Sequence, residues 1–296
     1  MIACSDPCVV RDPSCSSTER LPILNVDGLT RIHGPGCPRC VASTGDHAGT
    51  NVCPHCRSVV AIAEVSLRLH TGEILGVMGE SGSGKSTLVR LLHLDDRPTS
   101  GSAQYRHRND PSIDLFASDA AESRWLRNRR FGMVYQNPHL GLNFQISAGG
   151  NIAERLLMGG EFRFHHIRQR AIELLERTEV PRSRVDHKPG TFSGGMQQRL
   201  QIARALAPDP PLLFLDEITT GLDLSVQARI LDLVLEIQRR TGVAMIVVTH
   251  DLGVIRLLAG RTLVMRHGRV VESGLTDQIL EDPQHPYTQQ LVMAAL

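Results

Sequence analysis

The chain has 296 residues, of which 41% are hydrophobic and 21% charged, an ordinary balance for a globular protein able to bury a large core. Its 32 Lys and Arg against 31 Asp and Glu leave a net charge of +1, so no overall field steers it toward nucleic acid or anionic lipid. No apolar stretch is long enough to span a bilayer, and the start lacks the basic-then-apolar pattern of a secretory signal, so a cytoplasmic location is expected.

Residues 1–20 are rich in Ser, Pro, Asp and Cys without hydrophobic periodicity and read as a flexible arm. A first strand is expected over 23–32. The stretch 34–57, rich in Gly, Pro and Cys, follows as an insertion with no helix or strand pattern. Strand character resumes at Val59, and a buried strand over 73–78 feeds a glycine loop that opens a helix over 85–92. A short strand and a basic helix over 118–130 come next, then a strand over 131–135 that delivers Gln136. Helices over 148–158 and 166–177 form a helical subdomain within 137–195. Helix 196–206, strand 212–215, helix 225–239, strand 244–248 and helix 252–258 then alternate, with short strands up to 271. This order predicts an α/β fold: a mostly parallel sheet covered by helices, an antiparallel β subdomain, and function gathered at the carboxyl ends of the parallel strands.

The glycine loop runs Gly79, Glu80, Ser81, Gly82, Ser83, Gly84, Lys85, Ser86, Thr87. Its glycines let successive amides turn inward around phosphate oxygens at a helix start, which is the physical basis of a nucleoside triphosphate site. Lys85 is placed to reach the β- and γ-phosphates, and the Ser86 hydroxyl to ligate Mg²⁺. A mere glycine turn before a surface lysine would not need an apolar strand ahead of it and an apolar helix behind. Asp216 ends a second apolar strand, where a carboxylate can hold the Mg²⁺ shell, and Glu217 beside it is the candidate general base for water attack on the γ-phosphate. A plain helix cap would explain Asp216 alone but not the pair.

Cys37, Cys40, Cys53 and Cys56 form C-x2-C-x12-C-x2-C, a spacing that places four thiolates around a structural Zn²⁺ and makes the insertion zinc-ribbon-like. Disulfides are disfavoured in a cytosolic protein. Metal binding would fold a segment too small for its own core, with a contribution on the order of 10 kcal/mol. His55 is an alternative ligand, and Cys4, Cys8 and Cys15 have no assigned role. The module is expected to present a docking surface beside the base-binding end of the site.

Ser193-Gly-Gly-Met-Gln197 followed by Gln-Arg-Leu-Gln-Ile-Ala-Arg-Ala resembles the signature sequence of ABC-type ATPases, and the resemblance covers about residues 22–296 apart from the insertion. It implies an ATPase working as a dimer, with itself or a related subunit. Ser193 and Gly195 of one copy would contact the γ-phosphate held by Lys85 of the other, where a helix N-terminus offers roughly half an elementary positive charge. It further implies that Gln136 joins Mg²⁺ and the attacking water to the helical subdomain, that His250 is a switch residue at the γ-phosphate, and that Asp223 lies in the loop crossing the dimer interface. Two positions depart from the family pattern. His33 stands where an aromatic ring usually stacks on adenine, and Ile218 where a proline usually follows the base.

The tail from Asp282 through His285, Pro286 and Tyr287 is similar to that of oligopeptide and dipeptide importer ATPases, which implies membrane permease partners at the inner face of the membrane. The stretch from Gly141 to Leu156 resembles the ATP-binding subunits of the carbon–phosphorus lyase system instead, as do 191–204 and 221–229. That resemblance implies docking on a lyase core and coupling of ATP hydrolysis to phosphonate breakdown. Nucleic-acid-linked relatives carry two ATPase domains or a long coiled coil, so no nucleic-acid partner is expected.

Overall fold

The computed structural model describes residues 21–108 and 110–294. The expected arm, with Cys4, Cys8 and Cys15, lies outside the described residues. In chain order the elements are β1 (Leu24–His33), β2 (Val59–Leu69), β3 (Ile74–Met78), α1 (Lys85–Leu92), β4 (Ser100–Tyr105), β5 (Ile113–Asp114), α2 (Ala120–Arg129), β6 (Phe131–Val134) and α3 (Pro138–Gly141). There follow α4 (Ala148–Met158), α5 (Phe164–Arg177), α6 (Gly194–Leu206), β7 (Leu212–Asp216), α7 (Leu224–Thr241), β8 (Ala244–Val248), α8 (Leu252–Leu258), β9 (Arg261–Arg266), β10 (Arg269–Leu275), α9 (Thr276–Glu281) and α10 (Pro286–Met293).

β3, β7 and β8 are buried at every residue, as parallel strands covered on both faces must be. They lie in a six-stranded sheet of order β10-β9-β3-β8-β7-β6, parallel except for the β9–β10 hairpin. The two-residue period of a strand divides their side chains between two cores. Leu75, Val77, Leu212, Phe214, Ile246 and Val248 join α1 and the antiparallel sheet β2-β1-β4-β5 on one face. Ile74, Met78, Leu213, Leu215, Met245 and Val247 face the helices of the other side, from α4 to α8. The expected α/β fold with its antiparallel subdomain is therefore present.

Several boundaries move for local reasons. α2 starts after Asp119, whose carboxylate accepts the Ala121 and Glu122 amides and so fixes the first turn. The insertion is not wholly irregular, since it contains a 3₁₀ turn at Asp46–Ala48 and short bridges pairing Gly45 with Thr50 and Val52 with Val59. The tail, for which no element was expected, forms α9 and α10. Pro286 occupies the first turn of α10, where a missing N–H leaves nothing unpaired, and the His285 ring accepts the Tyr287 amide.

Candidate nucleotide site and cysteine cluster

The glycine loop leaves β3 with a backbone that side chains would obstruct. Gly79 has φ +145°, and a Cβ there would stand 2.1 Å from the Met265 carbonyl oxygen. Gly84 has φ +105°, and its Cβ would stand 2.4 Å from that of Ala61. Lys85 is buried at the start of α1, and its Nζ donates to the Gly79 and Glu80 carbonyls at 2.7 and 2.8 Å. Burial pushes the Lys85 ammonium below the usual lysine range, with Glu217 and Asp216 pulling the other way. A buried cation held by loop carbonyls fits a loop built for phosphate.

Parallel register gathers the remaining groups at one edge. Val77 and Asp216 both pair with Val248, and Val134 with Leu215, so the carboxyl ends of β3, β6, β7 and β8 lie side by side. Asp216 is buried, and its Oδ1 accepts from the Ser86 hydroxyl at 2.9 Å. Burial raises the Asp216 carboxyl above its ordinary range. These two adjacent oxygen donors fit a hard cation such as Mg²⁺. Glu217 holds a left-handed backbone at φ +46°, fixed by its amide donating to Val248 at 2.9 Å. Its Oε2 accepts from Gln136 Nε2 at 2.7 Å and from the Thr220 hydroxyl at 3.2 Å, while Oε1 lies 3.5 Å from His250 Nδ1. Gln136, Glu217 and His250 thus meet, and the Gln136 amide nitrogen is directed at the carboxylate. Ile218 is buried in the helical-side core.

Ser193 and Asp223 occupy equivalent places on different helices. The Ser193 hydroxyl accepts the Met196 amide and starts α6, while the Asp223 carboxylate accepts the Val226 amide and the Ser225 hydroxyl and starts α7. The Ser225 hydroxyl, ahead of the Val226 amide, holds the Asp223 carboxyl below its ordinary range. Gly195 packs so closely on Val226 that a Cβ would lie 2.6 Å from Cγ1. Ser193 and Asp223 are solvent-facing, and no hydrogen bond among the described residues joins Ser193, Gly195 or Asp223 to 79–87. His33 ends β1, exposed and paired in register with Val59.

Sequence reasoning missed three supporting groups. Gln201 on α6 is buried, and its side chain mimics a strand: Oε1 accepts the Tyr135 amide and Nε2 donates to the Tyr135 carbonyl, one residue before Gln136. A polar residue between buried Leu200 and Ile202 was the available signal. Thr220 was hidden in a loop. Tyr287 accepts the Glu80 amide at 2.9 Å across a sequence separation of 207, for which no local pattern exists.

The four cysteines converge. Cys37 Sγ lies 3.7 Å from Cys53 Sγ and 3.6 Å from Cys40 Sγ, and Cys40 Sγ lies 3.3 Å from Cys56 Sγ, all four sulfurs falling within 4.8 Å of one another. A tetrahedral zinc–thiolate centre has sulfur–sulfur edges of about 3.8 Å, so the set fits that ion. Burial pushes the Cys40 thiol up to about 12, while the Ser58 hydroxyl and amide lower Cys56 to about 6. His55 is absent from the cluster.

With the phosphate loop and the carboxylate pair on one parallel-sheet edge and a separate signature helix capped by Ser193, the architecture is that of an ATP-binding cassette, and a family profile described as ABC transporter matches residues 62–220. The chain belongs to the ABC transporter ATPase family and is an ATPase. It is 46% identical over 275 residues to the putative phosphonates utilization ATP-binding protein PhnK of Escherichia coli K12, an alignment covering 93% of this chain and 98% of that one. It is 38% identical over 238 residues to the dipeptide transport ATP-binding protein DppF of the same organism, covering 80% and 70%. The solved post-hydrolysis dimer of the ATP-binding cassette MJ0796, bound to ADP and Pi, aligns with TM-score 0.71 and 28% identity over 86% of this chain and 98% of that one. Among the described residues no helix is long and apolar enough to cross a membrane.

Proposed function

We propose that this chain is the ATP-hydrolysing subunit that couples ATP-driven dimerisation to phosphonate breakdown by a carbon–phosphorus lyase complex. The observation that carries the reading is its similarity to the phosphonates utilization protein over nearly the whole length of both chains. In this reading the amides of 79–87 cradle the ATP phosphates, Lys85 leaves its loop carbonyls for the β- and γ-phosphates, and His33 stacks on the base. Mg²⁺, held by Ser86, Asp216 and Gln136, would neutralise charge on the phosphates.

Glu217 accepts a proton from the attacking water on a carboxylate oxygen, giving ADP and phosphate. Gln136 and Thr220 orient that carboxylate, and His250 on its other oxygen contacts the γ-phosphate. Ser193, Gly195 and Asp223 act on the site of a partner subunit: Ser193 and Asp223 face solvent, and among the described residues none of the three is hydrogen-bonded to its own phosphate loop. Cys37, Cys40, Cys53 and Cys56 hold one structural Zn²⁺, which supplies the insertion with a core it otherwise lacks.

A second reading, the energy-coupling ATPase of a dipeptide-type importer, has the similarity to DppF in its favour. Affinity purification of the tagged protein from its own cytosol and membranes under phosphate limitation separates the two. Recovery of a multi-subunit lyase is expected, whereas recovery of multi-span permeases would replace the first reading by the second.

A further inference from the structure

Nothing in the hydrolytic cycle above uses a line of side chains that runs from the cysteine insertion to the phosphate loop. It begins at Asp46, in the 3₁₀ turn closed by the Gly45 amide donating to Thr50 at 2.8 Å. Asp46 Oδ1 lies 2.6 Å from Arg266 Nη1, and Oδ2 lies 3.8 Å from His285 Nε2. The Arg266 guanidinium sits 4.6 Å from the centre of the Tyr287 ring, in a cation–π contact. The buried Tyr287 hydroxyl accepts the Glu80 amide, and the Glu80 carbonyl accepts from Lys85.

A parallel tie reinforces it. Arg269, at the other end of the same hairpin turn, donates to the Val41 carbonyl of the insertion at 2.7 Å and pairs with Glu64 at 3.0 Å. Between the two arginines the Gly268 amide donates to Ser83 of the phosphate loop at 3.0 Å, and its carbonyl accepts the Ala63 amide at 2.8 Å. The turn at 266–269 is therefore gripped by the insertion on one side and by the phosphate loop on the other.

We infer that metal binding by the insertion and nucleotide binding by the phosphate loop are coupled through this turn, with Asp46, Arg266 and Tyr287 as positioning residues. The inference rests on the zinc reading above. The buried centre of the insertion consists of Cys40, Cys53, Val60 and Ala63, two of which are thiolate ligands and two of which belong to β2. Without metal the segment has no core of its own to hold Asp46 and the Val41 carbonyl in place. Release of these two groups frees Arg266 and Arg269, and ATP must then order the turn and loop at the cost of their conformational freedom. Because coupling between two binding events is reciprocal, nucleotide must tighten metal binding by the same factor by which metal tightens nucleotide binding.

The test uses the full chain. Zinc content is measured by elemental analysis. Affinity for a non-hydrolysable ATP analogue is measured on zinc-loaded protein and on chelator-stripped protein with Mg²⁺ restored, and zinc affinity is measured by chelator competition with and without the analogue. The expected result is roughly a fivefold effect in each direction, of equal size. Tyr287→Phe, which leaves the thiolates and the Asp46–Arg266 pair intact, keeps one equivalent of zinc and brings both factors close to one. Should stripped protein precipitate, zinc-loaded Asp46→Asn carries the test instead, with weakened analogue binding at full zinc content expected. Zinc-bearing protein whose analogue affinity survives stripping, or is unchanged by Asp46→Asn, overturns the coupling while leaving the zinc site standing. Protein without zinc removes both.

Discussion

Lys85 and Asp216 are 4% and 6% exposed and hydrogen-bonded within their own chain, whereas Ser193 and Asp223 stand in solvent at the starts of α6 and α7. The phosphate-loop half is organised within its own chain, since the Gly79 and Glu80 carbonyls hold the Lys85 ammonium and Asp216 accepts from the Ser86 hydroxyl. The signature half has its backbone caps in place but no hydrogen bond to the phosphate loop of its own chain. This division matches a site completed between two copies, as the dimeric relative of known structure has two cassettes.

The sharpest break in that comparison is Glu217→Gln, which leaves the half-site contacts of Gln136 in place but removes the base. Hydrolysis should fall by roughly 10²–10⁴-fold, while ATP drives accumulation of a dimer on size-exclusion chromatography; wild-type phosphate release would refute the assignment. Next in size is Ser193→Arg, which blocks the exposed half alone. Turnover should drop by roughly a hundredfold, yet titration of the single chain should show ATP bound as before. Loss of ATP binding in that variant would mean that the two halves are not separable.

A smaller gain is expected from His33→Tyr, which offers adenine a larger ring on an exposed strand end. ATP should bind about threefold tighter, and an unchanged dissociation constant would move the base elsewhere. The smallest effect belongs to neither half. Asp119→Ala removes the cap of α2 and should lower Tm by roughly 2 °C with ATP turnover unaltered. The amides of Glu122 and Ala121 hold the Asp119 carboxyl below its ordinary range. Its contribution is thus present above the usual carboxylate pKa and lost as pH falls through the folded value, so the difference between variant and wild type should close in acid.

The parts of the site legible in the sequence are those fixed by local geometry. Gly79 and Gly84 advertise a backbone no other residue tolerates, the apolar run of β3 feeds the loop that sets Lys85 at the start of α1, and that of β7 places Asp216 at a strand end. The cysteine spacing likewise announces convergence, and the sulfurs do converge. Illegible were contacts between residues far apart with no periodic signature. Asp46 and Arg266 are ordinary surface types, and Tyr287 sits in a tail helix begun by a proline that reads equally well as a turn. Gln201 was passed over because helix periodicity weighs polar residues as solvent-facing, whereas here two backbone groups of Tyr135 take the place of water.

His33 and Val59 face each other as the last paired residues of the β1–β2 hairpin. The cysteine segment therefore leaves and rejoins the sheet at neighbouring points. Chain can be acquired or shed at such a tip without shifting the register of either strand, since lengthening a closed loop adds only slowly to its entropic cost. The cysteine cluster can thus be added or removed as one segment, with the β1–β2 pairing left unaltered. Replacing 34–58 by a short turn would remove all four clustered cysteines in a single step.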